Sequence, residues 1–198
     1  MKTGTILLAA GNSSRLGKPK QLINYKGHTL LQNIANIALV STQGPVIVVE
    51  GHNNYPLSSD PKLSKIVNLD WKKGMGSSLK LGLKMLMEND LPDQVLILLS
   101  DQPMVNIELI HRLLDTKARS NLPIVASYYQ NSPGVPAIFD KSVFDKLKLM
   151  PDGEGAKKIL ISNPKLVALV NFEAGKIDID TPSDLIAFKK SDWSHFDS

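Results

Sequence analysis

Short apolar runs recur along the chain and alternate with segments of helical periodicity. Each run is four or five residues long and continuous, without the alternation of a strand that has one face in water. Continuous runs of this kind are typical of strands buried on both faces, as in a parallel sheet covered by helices. Six strands are predicted, over residues 5–9, 46–49, 66–69, 95–99, 124–127 and 166–170.

Helical periodicity fills the intervals between these runs. Apolar side chains between residues 30 and 38 fall on one helical face, and Thr29 before them is expected to be the N-cap. A second apolar stripe, over residues 79–86, follows Gly76-Ser77-Ser78, where a serine is expected to cap the first turn. Two more helices are predicted, over residues 107–117 and 184–190.

The alternation predicts a doubly wound, Rossmann-like α/β fold, with right-handed crossovers and helices on both faces of a mostly parallel sheet. The stretch 121–180 is less regular and is expected to extend the same sheet with one antiparallel strand. Within it, Pro136 predicts an edge strand or the start of a strand. A short strand is also predicted over residues 176–179.

Composition and charge narrow the class of protein. Hydrophobic residues make up 42% of the 198 residues and charged residues 21%, the balance of a soluble globular protein. The absence of cysteine excludes disulfide scaffolds and zinc–thiolate sites. The net charge of +4 comes from scattered lysines, so no nucleic-acid partner is expected. The apolar run at residues 6–10 is too short for a signal peptide and no run approaches a membrane span, so we expect a cytoplasmic protein with no membrane contact.

The loop after the first strand is the richest in candidate chemistry. In an open α/β sheet, ligands bind beyond the carboxyl ends of the strands. Residues 8–20 combine two glycines and three small polar residues, which let backbone N–H groups approach phosphate oxygens, with three cations. Arg15 and Lys20 can neutralise the charges of a triphosphate. The loop is not a Walker A motif, because five residues separate its glycines and a proline stands where a hydroxyl is needed, and G-x-G-x-x-G is absent from the chain.

Five segments, in chain order, form a pattern. They are L-A-A-G-N-S-S-R-L-G-K-P-K (8–20), N-L-D-W-K-K-G-M-G-S-S-L (68–79), L-S-D-Q-P (99–103), G-E-G-A (153–156) and D-I-D-T-P-S-D-L (178–185). The set resembles the MobA-like nucleotidyltransferases, most closely their molybdenum cofactor cytidylyltransferase branch, over nearly the whole chain. Two segments depart from that branch: a serine precedes D-Q-P where the family has glycine, and the fourth segment is one residue shorter.

Two aspartates are candidate magnesium ligands. Asp101 directly follows the predicted strand 95–99 and is expected to emerge at the ligand-binding edge, with a turn before Pro103 as its alternative role. A nucleotide-borne magnesium ion needs only one or two protein carboxylates. Asp180 matches the family position assigned to metal, and Asp178 falls on the same predicted strand face. An Asp or Thr before a helix that starts at proline is also a routine N-cap.

The resemblance extends to the substrates. It implies catalytic roles for Arg15, Lys20 and Asp101, and nucleotide contacts from Ala9, Ala10, Gly11, Arg15, Lys20, Gly76, Ser77 and Ser78. Gln102 is expected to help hold the acceptor. Trp71 is either a loop anchor or a stacking platform. Residues 1–105 are expected to bind the nucleotide, and residues 106–198 the acceptor, within one domain spanning 1–198.

The implied reaction is magnesium-dependent transfer of CMP from CTP to the terminal phosphate of molybdenum-bearing molybdopterin, with release of pyrophosphate. A molybdenum hydroxylase is the candidate recipient of the product. Three alternatives stay open: guanylyl transfer from GTP to the same cofactor, cytidylyl transfer to methylerythritol phosphate or a sugar acid, and delivery of the cofactor without catalysis. The loop reads A-A-G, as in cytidylyl-specific members, where guanylyl-specific ones read A-G-G. The methyl group of Ala10 narrows the pocket beside the base and so favours CTP.

Overall fold

The computed structural model describes residues 1–11, 13–179 and 181–190. The strands are β1 (Thr3–Ala9), β2 (Asn24–Tyr25), β3 (His28–Thr29), β4 (Val46–Glu50), β5 (Leu63–Val67), β6 (Gln94–Leu99), β7 (Ile124–Tyr129), β8 (Ser132–Asp140) and β9 (Val167–Asn171). The α-helices are α1 (Leu30–Ser41), α2 (Met75–Asp90), α3 (Ile107–Arg119), α4 (Phe144–Lys148), α5 (Ala156–Ser162) and α6 (Pro182–Lys190).

Seven strands form one sheet in the order β5-β4-β1-β6-β8-β7-β9, and β2 and β3 form a separate hairpin. Strand β8 is antiparallel to both of its neighbours, and all other pairs in the large sheet are parallel. The predicted doubly wound fold with one antiparallel strand is therefore confirmed. None of the helices in the described ranges is long and apolar enough to cross a membrane.

The two faces of the sheet bury separate apolar layers. Along β1, Leu7 and Ala9 belong to one layer, whereas Ile6 and Leu8 belong to the other. The first layer receives buried side chains from α1, α3 and α6, and the second receives them from α2, α4 and α5. Successive side chains of a strand point to opposite faces, so continuous apolar runs are required when helices cover both.

Two predicted helix starts can be compared with the structure. The Thr29 hydroxyl accepts a hydrogen bond from the backbone N–H of Gln32 at 3.1 Å, which confirms the N-cap of α1. Helix α2 instead begins at Met75 with Gly74 as its N-cap, so the prediction of a serine cap was wrong. The φ of Gly74 is 123°, a conformation that strongly favours glycine and lets the helix start earlier than the apolar stripe indicates.

Three strand predictions needed correction. The strand predicted over 66–69 is β5, which begins three residues earlier and, among the described strands, pairs with β4 alone. Pro136 lies inside β8, an interior strand, where the register with β7 shifts between Ala126 and Ser127 and interrupts the ladder beside it. In place of a strand at 176–179 the chain forms a 3-10 turn over Glu173–Lys176. Local hydrogen bonds to the carbonyl groups of residues 172 and 174 stabilise this turn, so no ladder forms.

A partly buried ion pair joins α3 to the end of β8. The Lys117 ammonium lies 3.3 Å from the carboxylate of Asp140, and the two side chains are only 8% and 22% exposed. Burial works to raise the pKa of Asp140, but hydrogen bonds from Ser142 and the charge of Lys117 outweigh it, so the pKa lies below its ordinary value. Folding therefore favours the charged carboxylate.

Replacing Asp140 with asparagine should destabilise the protein by about 2 kcal/mol at neutral pH, between the values for exposed and for fully buried pairs, because the buried Lys117 ammonium loses its partner. The contribution of the carboxylate is fully present above its unfolded pKa, near 3.8, and is lost as the pH falls through the lower folded value. Denaturant unfolding at several pH values should show the two proteins converging at acid pH. The control is Asp145→Asn, which breaks the exposed pair with Lys148 and should change stability by less than about 1 kcal/mol. Equal effects of both substitutions would contradict the prediction.

Candidate active site

A cleft of about 360 Å³ opens at the carboxyl edge of the sheet, beyond the ends of β1 and β6. These strands are adjacent and parallel, with Leu8 opposite Leu99, so the loops that follow them leave the sheet side by side. The N-terminal turn of α2 closes another side of the cleft. The described lining residues are Leu8, Ala10, Gly11, Ser13, Ser14, Arg15, Lys20, Gln21, Trp71, Lys72, Gly74, Met75, Ser78, Leu99, Ser100 and Asp101.

The loop after β1 spans residues 10–20 and is named the phosphate loop after the ligand that its sequence predicts. The carbonyl of Ser13 accepts hydrogen bonds from the N–H groups of Leu16 and Gly17, and its hydroxyl accepts one from the N–H of Lys20 at 3.0 Å. Ser13 and Gly17 both have positive φ, 51° and 74°. The loop therefore turns tightly back on itself and brings Lys20 to the cleft that Arg15 also lines.

Lys20 and Asp101 are 81 positions apart in sequence and form an ion pair across the cleft. The ammonium of Lys20 lies 3.1 Å from a carboxylate oxygen of Asp101, with the side chains 14% and 31% exposed. The structure thus places a predicted phosphate-binding cation in contact with a predicted metal ligand. Before substrate binds, the two charges compensate each other, and both stay near water.

Gln21 is a residue that the sequence analysis missed. Its side-chain nitrogen donates hydrogen bonds to the carbonyl oxygens of Ala9 at 2.9 Å and Gly11 at 3.1 Å. The side chain is only 2% exposed, yet it belongs to the cleft lining. In the sequence, Gln21 is marked only by its position directly after the cationic loop and before the apolar pair Leu22-Ile23.

The α2 side of the cleft brings Ser78 to the lining, whereas Gly76 and Ser77 are absent from the described lining set. A Cβ atom at Gly76 would lie 2.4 Å from the carbonyl oxygen of Pro151, so only glycine fits against that turn. The hydroxyl of Ser77 donates to the carbonyl of Gly74 at 2.8 Å. These two residues pack the helix start, and they set the position of Ser78.

Asn68 organises the same turn from the end of β5. Its side-chain nitrogen donates to the hydroxyl oxygens of Ser77 and Ser78, each at 2.9 Å, and its backbone N–H donates to the carbonyl of Glu50. All three side chains are buried. The start of α2 is therefore hydrogen-bonded to the strand layer through one amide.

Trp71 lies between the cleft and the loop after β4. Its ring stacks on His52, with the ring centroids 5.1 Å apart and the planes inclined at 28°. A Cβ atom at Gly51 would lie 3.3 Å from Cγ of Trp71 and 2.8 Å from the carbonyl oxygen of Ala10. Trp71 therefore anchors this loop and also lines the cleft beside the phosphate loop.

Gln102 and Ala9 lie behind the cleft, outside the described lining set. Gln102 is 3% exposed, and its side-chain nitrogen donates to the carbonyl of Val135 at 2.9 Å and to the hydroxyl of Tyr129 at 3.4 Å. Burial, reinforced by the charge of Asp178, raises the pKa of Tyr129. Its hydroxyl therefore keeps its proton and donates it to the same carbonyl.

A divalent metal ion would fit beside Asp101. Its carboxylate is partly exposed and lines the cleft, and hard cations such as magnesium prefer oxygen ligands. Within the described ranges no group of three or more His, Asp or Glu side chains is arranged to hold a metal. One carboxylate supplemented by substrate phosphates is the arrangement that Mg²⁺ commonly uses with nucleotides.

The second predicted ligand, Asp180, lies outside the described residues. The N-cap role, which was the alternative expected for an Asp or Thr before this helix, is filled by the next residue, Thr181. The hydroxyl of Thr181 accepts a hydrogen bond from the N–H of Asp184 at 3.2 Å, and the carboxylate of Asp184 accepts one from the N–H of Thr181 at 2.8 Å. This is a reciprocal capping box, which caps the start of α6 through Thr181.

Comparison with known proteins identifies the family. Residues 5–167 match the MobA-like NTP transferase domain. The chain is 31% identical to nicotine blue oxidoreductase of Paenarthrobacter nicotinovorans, covering 89% of this chain and 91% of that protein. It is 30% identical to the purine catabolism protein PucB of Bacillus subtilis strain 168, covering 90% and 92% of the two chains.

Solved structures share the fold. Rv0371c of Mycobacterium tuberculosis H37Rv superposes with a TM-score of 0.80 at 23% identity, covering 97% of this chain and all of that one. A manganese complex of Rv0371c superposes with a TM-score of 0.75 at 22% identity, with the same coverage. Because the domain match covers most of the chain, the chain belongs to the MobA-like NTP transferase family and is a nucleotidyltransferase.

Proposed function

We propose that this nucleotidyltransferase transfers CMP from CTP to the terminal phosphate of molybdenum-bearing molybdopterin and releases pyrophosphate. The observation that carries the proposal is the Lys20–Asp101 pair, which joins the phosphate loop to the loop after β6 across one cleft. Residues 1–105 provide the described cleft lining and are assigned to the nucleotide. Residues 106–198 are assigned to the acceptor, with Gln102 at the junction. We place the reaction in the cytoplasm.

The chemistry requires positioning more than acid–base catalysis. An oxygen of the acceptor phosphate attacks the α-phosphorus of CTP, and the bond from that phosphorus to the bridging oxygen of pyrophosphate breaks. A phosphate is already anionic near neutral pH, so it needs no general base. The barrier lies in bringing two anions together, and preorganised cations lower it.

The residues of the cleft have separate tasks in this scheme. Arg15 and Lys20 bind the β- and γ-phosphates and stabilise the charge that develops on the leaving pyrophosphate. The backbone N–H groups of the phosphate loop donate to the same oxygens. Trp71 and Ser78 lie on the far side of the cleft and border the space for the base and ribose.

Asp101 is assigned to magnesium, with Asp180 as second ligand by family resemblance. The ion would act as a Lewis acid on the α-phosphate. The manganese complex of Rv0371c is consistent with a divalent cation in this fold. In the protein alone, the ammonium of Lys20 holds the Asp101 carboxylate at the cleft.

The proposal is tested by mixing the protein with CTP, Mg²⁺ and molybdenum-loaded molybdopterin and measuring pyrophosphate. The expected result is stoichiometric release of pyrophosphate with formation of the cytosine dinucleotide of the cofactor. A panel of acceptors should include methylerythritol 4-phosphate and a sugar acid. Tight binding of the cofactor without pyrophosphate would instead support a delivery protein, and turnover with another acceptor would reassign the substrate. Transfer of the finished cofactor to a molybdenum hydroxylase is a separate measurement.

The choice of CTP over GTP should depend on Ala10. Ala10 lines the cleft, and its carbonyl oxygen lies close to Gly51. Ala10→Gly should therefore lower the ratio of CTP to GTP incorporation, by roughly 10- to 200-fold, the range for a methyl-sized difference in a pocket. Both nucleotides are supplied at equal concentration and the products are separated. An unchanged ratio would remove Ala10 from the selection, and dominant GTP incorporation by the parent protein would overturn the cytidylyl assignment.

A further inference from the structure

Gln21 directly follows the phosphate loop and hydrogen-bonds back to the start of that loop. Both protons of its amide nitrogen are directed to backbone carbonyls, those of Ala9 and Gly11. These two bonds determine which way the amide faces, because a nitrogen can donate to a carbonyl and an oxygen cannot. The last residue of β1 and the first glycine of the loop are thus joined through one side chain.

The other atom of the same amide has no evident structural purpose. Oε1 of Gln21 is buried and, within the described part of the chain, accepts no hydrogen bond. A buried acceptor without a partner disfavours folding, whereas the two bonds donated by Nε2 satisfy the carbonyls of Ala9 and Gly11. The stabilising contacts of this amide are therefore the two that join it to the start of the loop.

The position of Gln21 in the chain connects it to the ion pair. It directly follows Lys20, whose backbone N–H is itself held by the hydroxyl of Ser13 at 3.0 Å. The backbone of Lys20 is therefore fixed from both directions, by Ser13 on one side and by the amide of Gln21 on the other. These contacts fix the backbone position from which the Lys20 side chain reaches the carboxylate of Asp101.

We propose that Gln21 is a positioning residue for nucleotidyl transfer: it ties the end of the phosphate loop to Ala9 and Gly11 at its start and so keeps the backbone of Lys20 in place beside Asp101. The inference rests on the proposed function in one respect, the binding of a triphosphate by this loop. A loop that is already in its bound shape loses less entropy when phosphate binds and needs less reorganisation during the reaction. Loss of the amide should therefore affect both nucleotide affinity and turnover.

The test compares Gln21→Leu with Gln94→Leu. Gln94 is a matched control, since it is 3% exposed, donates through its amide nitrogen to the hydroxyl of Thr3 at 2.8 Å and has an unpartnered buried Oε1. It lies at the start of β6, at the opposite edge of the sheet from the cleft. Both variants should keep a cooperative thermal transition. Gln21→Leu should lower kcat/KM for the nucleotide by about 100-fold, through both a raised KM and a lowered kcat. Gln94→Leu should stay within about twofold of the parent, because it touches nothing at the cleft.

A second variant and a second measurement keep the test decisive. Gln21→Glu preserves the shape of the side chain but replaces the amide donors by a carboxylate, so it should lose activity as Gln21→Leu does. Calorimetric binding of inorganic pyrophosphate reports on the loop without any acceptor. Weaker binding of pyrophosphate by both Gln21 variants, with parental binding by Gln94→Leu, supports the proposal. This result stands even if no acceptor in the panel is turned over, because such a failure would contradict only the proposed reaction. Parental kinetics and pyrophosphate binding in the Gln21 variants would overturn it, as would equal losses in Gln94→Leu.

Discussion

Asp101→Asn should lower the rate of nucleotidyl transfer by about 1,000-fold while the protein stays folded. The amide has nearly the same shape as the carboxylate but lacks the charge that would hold a divalent cation. The side chain is 31% exposed, so the lost pairing with Lys20 should reduce stability by less than about 1 kcal/mol. Rates measured over a range of magnesium concentrations should show a higher requirement in the variant. The resemblance predicts the same outcome for Asp180→Asn.

The control for this variant lies at the other end of the same strand. Asp93 directly precedes β6 and pairs with Lys141 at 3.8 Å, whereas Asp101 follows β6 and pairs with Lys20. Asp93→Asn thus removes the same charge from a longer and more exposed ion pair, about the length of the strand away from the cleft. It should retain parental kinetics. If Asp101→Asn turns over substrate at the parental rate under limiting magnesium, Asp101 is a turn residue and not a metal ligand.

Lys20→Ala should reduce kcat/KM for the triphosphate by about 100-fold, and Arg15→Ala should reduce it by a similar factor. Each cation lines the cleft, and the backbone N–H of Lys20 is held by the hydroxyl of Ser13. The loss should include a lower kcat as well as a higher KM, since charge accumulates on pyrophosphate as it leaves. Steady-state kinetics with varied CTP separate the two terms.

The comparison for these variants is Lys189→Ala. Lys189 is exposed in the last turn of α6 and contributes the same formal charge to the protein as a whole. It should change neither kinetic constant, because the effect on phosphate depends on position and not on net charge. Small and equal effects of all three substitutions would remove the phosphate-binding role of the loop. The double variant Lys20→Ala, Asp101→Asn should lose less than the product of the single losses, since the two residues act as a unit.

Much of this arrangement was predictable from local sequence. Continuous apolar runs such as that of β6 are compatible with burial on both faces, which requires helices above and below the sheet. Once parallel topology is inferred, the carboxyl ends of the strands must lie at one edge, and Arg15, Lys20 and Asp101 lie in loops that follow such ends. Their presence at one edge of the sheet is therefore predictable from the sequence, whereas the adjacency of β1 and β6 is not.

Two kinds of contact depend on the tertiary structure. Some join segments that are distant in sequence, and others override a local preference of the chain. The family resemblance implied that Gly76 and Ser77 contact the nucleotide. In the structure Gly76 packs against the turn at Pro151 and Ser77 bonds to Asn68, so both lie behind the residues that line the cleft. The tie from Gln21 to β1 has no local pattern, because a single buried amide obeys no period. Pattern and spacing report how residues relate to solvent and to their own helix or strand. The partner of a buried polar group depends on the three-dimensional packing of the whole chain. The same packing brings Gln21 to β1 and the ammonium of Lys20 to the carboxylate of Asp101.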